Sequence, residues 1–351
     1  MTGTADTLNI IRPDDWHLHL RDDAMLRAVL PFSARQFGRA IIMPNLTPPV
    51  TTMAAARAYR DRILAALPAD LQFEPLMTCY MTDGADADEI ASGFEDGIFT
   101  AVKLYPANAT TNSAYGVISW DNIRPALARM EKIGMPLLVH GEEADADIDI
   151  FDREAVFIER VLSWMASDYP ALKIVLEHIT TEQGVAFVRE HGANIAATVT
   201  PHHLMINRNA LLAGGMRPHM YCLPVAKRER HRLALRRAVT GGDSSFFLGT
   251  DSAPHPVADK ETDCGCAGIF NAPNAIELYA QTFDEEGALD QLEKFASLNG
   301  PSFYGLPPNR TTITLSRQTF KVSGDVAVSG PGESIRPFFS GENLSWTLTE
   351  A

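Results

Sequence analysis

Nowhere in this chain do about 18 apolar residues run together, which excludes a membrane-spanning helix of ordinary length. The opening MTGTADTLNI has neither the basic stretch nor the apolar core of a secretory leader, so the expected compartment is the cytoplasm. Cysteine is scarce: four in 351 residues do not make a disulfide framework. Cys264 and Cys266, one residue apart, are too close for an ordinary bridge and read as small thiols in a tight glycine-containing loop, with a metal pair as the alternative. Basic charge is in deficit, 30 Lys and Arg against 44 Asp and Glu, a formal net charge of −14. That excludes the basic face needed to hold nucleic acid or an anionic membrane without specificity. It also means that an acidic substrate must be held by a local Arg or a metal. No GxGxxG or GxxxxGK[ST] follows any apolar run, so a dinucleotide or P-loop reading loses its main support. Repeats, low-complexity tracts and linkers are missing too. One domain over residues 1–351 is expected, with a short accessory tail from Pro308 onward.

What is present is a regular alternation. Short apolar runs ending in polar residues occur at Asp15–Leu20, Arg39–Pro44, Phe73–Tyr80, Thr100–Tyr105, Met135–His140, Lys173–His178, Asn194–Thr200 and Ser245–Thr250. Helical spacing fills several intervals: Thr51–Leu67 behind a capping Thr, Ser119–Ile133 stopped by Gly134, Glu182–Glu190 and Arg228–Val239. Two further helices are expected at Ala272–Glu286 and Leu289–Leu298, and a weak strand-and-turn region from Thr311. Strands alternating with helices imply a parallel sheet. Eight such units predict an α/β fold, a (β/α)₈ TIM barrel, with its site at the C-terminal mouth of the strands.

The chemistry-bearing residues gather at those strand ends. His17 and His19 close the first candidate strand; residues two apart share a face, so both imidazoles approach one point while Leu18 turns outward. A lone HxH is as often accidental as functional. His140 ends MPLLVH, His178 ends IVLEH and Asp251 follows FFLGT, each a zinc-ligand type. A single strand-end His is more often structural, but four with an Asp are hard to explain as coincidence. Five ligands also exceed what one tetrahedral zinc takes, which points to two metals. Lys103 in TAVKLYP has three readings: a snorkelling lysine, a Schiff-base lysine, or a lysine carbamylated by CO₂. Beside metal ligands the carbamate is the consistent one, because an ammonium would repel the cations.

The words PDDWHLHLRD, MPNLTPPVTT, KLYPANATTNS, PLLVHGE, EHITT, LGTDSAPH and CGCAGIFNAP resemble the compact bacterial type of the dihydroorotase family, within the binuclear amidohydrolase superfamily. The likeness runs from Ile11 to Tyr304, and the tail after Pro308 matches least. It implies two Zn²⁺, the first held by His17, His19 and Asp251 and the second by His140 and His178. N6-carboxylated Lys103 and a hydroxide would bridge the pair, and Asp251 would be the general base. Arg21, Asn45 and His255 would take a substrate carboxylate, with backbone near Leu223 and Ala267 reading the ring. Thr110 and Thr111 would touch substrate from a lid, Pro106–Gly116, whose composition alone reads as an ordinary mobile loop. For Arg21 the plain alternative is a surface salt bridge to Asp22 or Asp23. His191, His202, His203, His219 and His231 have no such placement and read as structural or exposed. The implied activity is reversible cyclisation of N-carbamoyl-L-aspartate to L-dihydroorotate in pyrimidine biosynthesis, by a homodimer with no nucleic-acid or membrane partner. The competing readings are another cyclic-amide hydrolase of dihydropyrimidinase or hydantoinase type, a metal-free scaffold, and, last, a Schiff-base aldolase.

Overall fold

The computed structural model describes residues 6–329 and 332–350, so both ends of the expected 1–351 domain lie outside the described residues. A first strand, β1 (Thr7–Ile11), stands apart. Eight more follow in chain order: β2 (Asp15–Leu18), β3 (Arg39–Ile42), β4 (Glu74–Tyr80), β5 (Ala101–Leu104), β6 (Leu137–Val139), β7 (Ile174–Leu176), β8 (Ile195–Val199) and β9 (Phe246–Leu248). These eight pair in sequence order, every ladder parallel. The seam between β9 and β2 is drawn together by Asp251 N donating to His17 O at 2.9 Å and His19 N to Ser252 O at 3.2 Å. The result is the (β/α)₈ barrel that the alternation predicts.

The pleat sorts the side chains. Ile41, Ala101, Leu138, Val175, Ala196 and Phe247 fill the interior together with Trp16. Ile42, Val102, Leu137, Val139, Ile174 and Leu248 face the helices. Trp16 stacks on Tyr304 at 4.4 Å and plugs the lower end, so the open end is the one where the strands finish. Gly300 is required there, because a Cβ would lie 1.9 Å from Trp16 Nε1.

The helices form for local reasons. Thr52 caps Met53–Ala66 by accepting from Ala55 N at 3.2 Å, and Ala56, Tyr59 and Ile63 give it one buried face. Trp120–Ile133 buries Ile123, Ala126, Leu127 and Met130 and stops at Gly134 in the left-handed region, φ 72°. Asp23–Gln36 is a helix not among those expected from the spacing, and it carries Pro31 within it. Its buried Leu26, Val29, Leu30 and Ala34 offset the one backbone bond lost at that proline. The expected helix at Leu289–Leu298 is instead a 3₁₀ turn, a π turn and a short α-helix reaching Tyr304.

The tail is more ordered than its weak pattern suggests. β10 (Thr312–Ser316) lies antiparallel between β1 and Thr347–Glu350. β1 escapes sequence reading because its partner is about three hundred residues away; the register joins Ile11 to Thr312. Ile313, Leu315, Trp346 and Leu348 share one buried cluster with the barrel's outer face.

Candidate active site

The mouth of the barrel collects the residues that the strand ends predict. A register shift between Asp15 and Leu18 lets Trp16 point inward below while His17 and His19 face the mouth above. Their Nε2 atoms lie 3.3 Å apart, and each faces Asp251 Oδ1, at 3.3 and 3.1 Å. An unbroken strand would send His178 to the face opposite Glu177. His178 instead takes φ 42°, and Asp251 takes φ 44°, both in the left-handed region that costs a non-glycine residue strain. The His17 and His178 rings lie 4.9 Å apart, as do those of His140 and His178. His140 Nε2 meets Glu142 Oε2 at 3.0 Å, and the residue lines the cavity.

Lys103 lies fully buried with its Nζ hydrogen-bonded to Glu177 Oε2. Glu177 was not foreseen from sequence. Its other oxygen, Oε1, is 3.0 Å from His17 Nδ1, so one buried carboxylate touches both a first-strand imidazole and the lysine. Its only sequence signal was its place beside His178 in EHITT. Asp15 was also missed; it accepts from Thr250 N at 2.8 Å, Thr250 Oγ1 at 2.5 Å and His17 N at 3.1 Å, knitting the first and last strand ends together. Burial pushes its carboxyl up to about 7.

The electrostatics follow from burial and these contacts. Burial pulls His17 down, but the carboxylates of Glu177 and Asp251 more than offset it and raise the imidazole to about 9. Burial lowers His19 to about 4 and carries His178 well below its usual range. Asp251, despite a burial effect that opposes ionisation, is held well below the usual carboxylate range by His17 and His19. A carboxylate thus sits among imidazoles that favour their neutral, metal-ligating form at two of three positions.

This arrangement fits a metal site. The donor atoms of His17, His19 and Asp251 lie within 4.8 Å of one another, and so do those of His17, Glu177 and His178. His178 Nδ1 is buried with no protein partner. Nitrogen and carboxylate-oxygen donors are the set that zinc takes. Orienting partners stand behind two of the rings: Glu142 on His140, and Asn45 Oδ1 on His19 Nδ1 at 2.9 Å.

Beside the imidazoles lies a narrow cavity of about 20 Å³, space for about one water molecule. Arg21, Asn45, Thr110 and Thr111 line one part of it, Leu223 and Ala267 another. Arg21 is turned inward by its left-handed backbone, φ 57°. Its Nη2 is 3.1 Å from His255 Nε2, and its Nε donates to Pro254 O at 3.3 Å. Asp22, the candidate surface partner, pairs with Arg62 instead at 2.8 Å. Burial and Arg21 together hold His255 neutral, down to about 2. The 106–116 segment is docked over the mouth: Asn45 Nδ2 donates to Thr111 O at 3.2 Å, Asn112 Nδ2 to Asn45 O at 3.1 Å, and Thr111 Oγ1 to Ala267 O at 3.2 Å.

The other histidines make contacts of their own within the protein, and His202 and His203 lie with Cys222 as a second buried group of metal-ligating type. His203 uses both ring nitrogens, on Thr200 Oγ1 at 2.8 Å and Pro224 O at 2.9 Å. His202 lies buried beside it, facing Asn271. His219 pairs with Glu261, His231 Nδ1 accepts from Glu182 N, and His191 stacks on Phe187. All four cysteines, Cys264 and Cys266 included, are free thiols.

A parallel barrel with imidazoles and a carboxylate on four strand ends defines a class, and the chain belongs to the amidohydrolase family, whose profile matches residues 10–314. Within that family its relatives are dihydroorotases. A dihydroorotase of Parasynechococcus marenigrum is 62% identical over 344 residues, 98% of each chain. The solved dihydroorotase of Campylobacter jejuni is 35% identical with a TM-score of 0.90, covering 100% of this chain and 99% of that one. That of Saccharomyces cerevisiae, solved in complex with 5-fluoroorotic acid, is 32% identical with a TM-score of 0.91, covering 99% of each. The chain is therefore a cyclic amide hydrolase. Among the described residues no helix is long and apolar enough to cross a membrane.

Proposed function

We propose that the protein interconverts N-carbamoyl-L-aspartate and L-dihydroorotate, as a dihydroorotase of de novo pyrimidine biosynthesis. The observation that carries the substrate assignment is Arg21. It is a guanidinium drawn into the cavity whose partners are the imidazole of His255, weakly that of His19, and a backbone carbonyl, and no ion pair engages it among the described residues. Such a cation calls for an anionic ligand, and a planar fork suits a carboxylate. A cyclic amide without the acid, as dihydropyrimidinases and hydantoinases take, would leave it unpaired.

His17, His19 and Asp251 would hold one zinc ion and His140 and His178 the second, with Lys103 as its carbamate between them. When bound, the pair supplies an acidified water and a polarised carbonyl. The protein's own groups do the rest. Asp251, ionised throughout the neutral range, takes the proton of the attacking water and returns it to the ring nitrogen as the amide C–N bond breaks. Arg21, Asn45 and His255 hold the substrate carboxylate, and Leu223 and Ala267 offer backbone groups to the ring. Thr110 and Thr111, on the segment docked over the mouth, keep bulk water from the reacting amide. A cytoplasmic homodimer completes this reading.

The test is an assay of purified, metal-analysed protein with dihydroorotate against dihydrouracil. Two metals per chain and a strong preference for dihydroorotate over a slow turnover of dihydrouracil are expected. Preference for dihydrouracil, or metal-replete protein inert towards both, would overturn the proposal. Light scattering of the eluting protein checks the dimer.

A further inference from the structure

Tyr105 lies two residues beyond Lys103, just past the end of β5, and no strand-end pattern singled it out. Its side chain is about as buried as any in the core, 1% exposed. It nevertheless lines the same cavity as Arg21, Asn45 and Asp251. Packing fixes its ring on three sides: against Tyr80 at 5.2 Å, beside His140 at 6.0 Å, and under the Lys103 amine at 4.7 Å from the ring centroid. None of these contacts uses the hydroxyl, which is buried and has no hydrogen-bond partner in the protein.

Its neighbours show how unusual that is. Tyr80 donates to Asn112 O at 3.3 Å, Tyr59 to Arg21 O at 2.6 Å, and Tyr279 to Val199 O at 2.8 Å. Tyr304 also has an unpaired hydroxyl, but its ring stacks on Trp16 at the closed end and it does not line the cavity. Leaving a buried hydroxyl unpaired costs as much as a lost hydrogen bond. At a cavity wall that cost is removed when a ligand brings the acceptor.

We propose that the Tyr105 hydroxyl is a substrate-binding donor, hydrogen-bonded to an oxygen of dihydroorotate or N-carbamoyl-L-aspartate, from a strand three places round the barrel from the one that leads to Arg21. The proposal rests on the dihydroorotase reading. Two fixed donors reaching in from separate strands hold a small polar ring in one orientation, which is what the attack on a single amide requires.

Tyr105→Phe tests it cleanly, because the phenyl ring keeps every packing contact and only the hydroxyl goes. The variant should keep its metal content and melting temperature while kcat/KM for dihydroorotate falls roughly 10- to 100-fold; a fall carried by KM or by kcat supports the assignment alike. Calorimetric affinity for orotate, which has the same oxygens on an unsaturated ring, should fall in step. A variant within twofold of the active wild type in both measurements overturns the proposal alone. Loss of activity matched by loss of metal also overturns it, since Tyr105 would then serve the metal site. Wild type inert towards dihydroorotate overturns the functional reading and this one with it.

Discussion

Replacing Arg21 with Met separates recognition of the acid from chemistry at the amide. Methionine keeps an unbranched apolar stem of similar reach, and the left-handed backbone at φ 57° asks nothing of the side-chain tip. What disappears is a guanidinium with contacts to His255 Nε2 at 3.1 Å, Pro254 O at 3.3 Å and, weakly, His19 Nδ1 at 3.5 Å. The metal site should survive, because His19 Nδ1 keeps its shorter 2.9 Å bond to Asn45 Oδ1. Truncating one partner of a desolvated, hydrogen-bonded charge pair costs about 2–5 kcal/mol. Arg21 is only partly buried, so the lower half of that range applies. About 2–3 kcal/mol lowers kcat/KM for dihydroorotate roughly 30- to 150-fold. Dihydrouracil has the same ring amide and no carboxylate, so its slow turnover should stay about where it was. Arg21→Lys should recover only part of the loss, since an ammonium brings charge without the planar fork. The assay is steady-state kinetics on both substrates with metal analysis of each preparation. Equal losses on the two substrates would show that Arg21 supports the metal site or the fold and does not read the carboxylate.

Lys103→Ala should lose metal and activity together, leaving Glu177 without its buried partner, and a short carboxylic acid in solution should partly restore both; metal retained at wild-type level would remove Lys103 from the bridge. Asp251→Asn, nearly isosteric but a poor proton acceptor, should lower kcat by roughly 10²–10⁴-fold with little loss of melting temperature; near-normal kcat with both metals present would take Asp251 out of the proton path. His255 gives a pH signature, since burial and Arg21 hold its folded value at about 2 against 6.5 for the free side chain. Below pH 6.5 the unfolded chain therefore binds a proton that the folded one does not, so stability falls on acidification, by about 1.5–2 kcal/mol between pH 6.5 and 5. Denaturant unfolding at those two values should show a smaller acid loss in His255→Gln, and equal losses would contradict a neutral, buried imidazole.

The eight strands were legible because each is a short apolar run that must be buried on both faces, and the polar residue that ends it marks the open mouth. The HxH pair was legible for a related reason, since the pleat alone puts His17 and His19 on one side. Local pattern stops short wherever a residue's role depends on a distant neighbour. The Asp23–Gln36 helix is held by its packing around Pro31, and β1 is a strand only because β10 returns to it from the far end of the chain. Glu177 carries no local signal of its role, which exists because folding brings Lys103 and His17 to its two oxygens. Asp15 stands out in the sequence only as the start of a strand, and its role comes from Thr250 closing the seam against it. The sequence by itself determined which residues could do chemistry and at which end of the barrel, because strand alternation and ligand type are local properties. Which distant side chain meets which imidazole, as Asn45 meets His19 and Glu177 meets His17, was decided only by tertiary structure, because those relations join side chains dozens to hundreds of residues apart whose contacts exist only once the barrel has closed; so was the buried, unpaired hydroxyl of Tyr105 at the cavity wall.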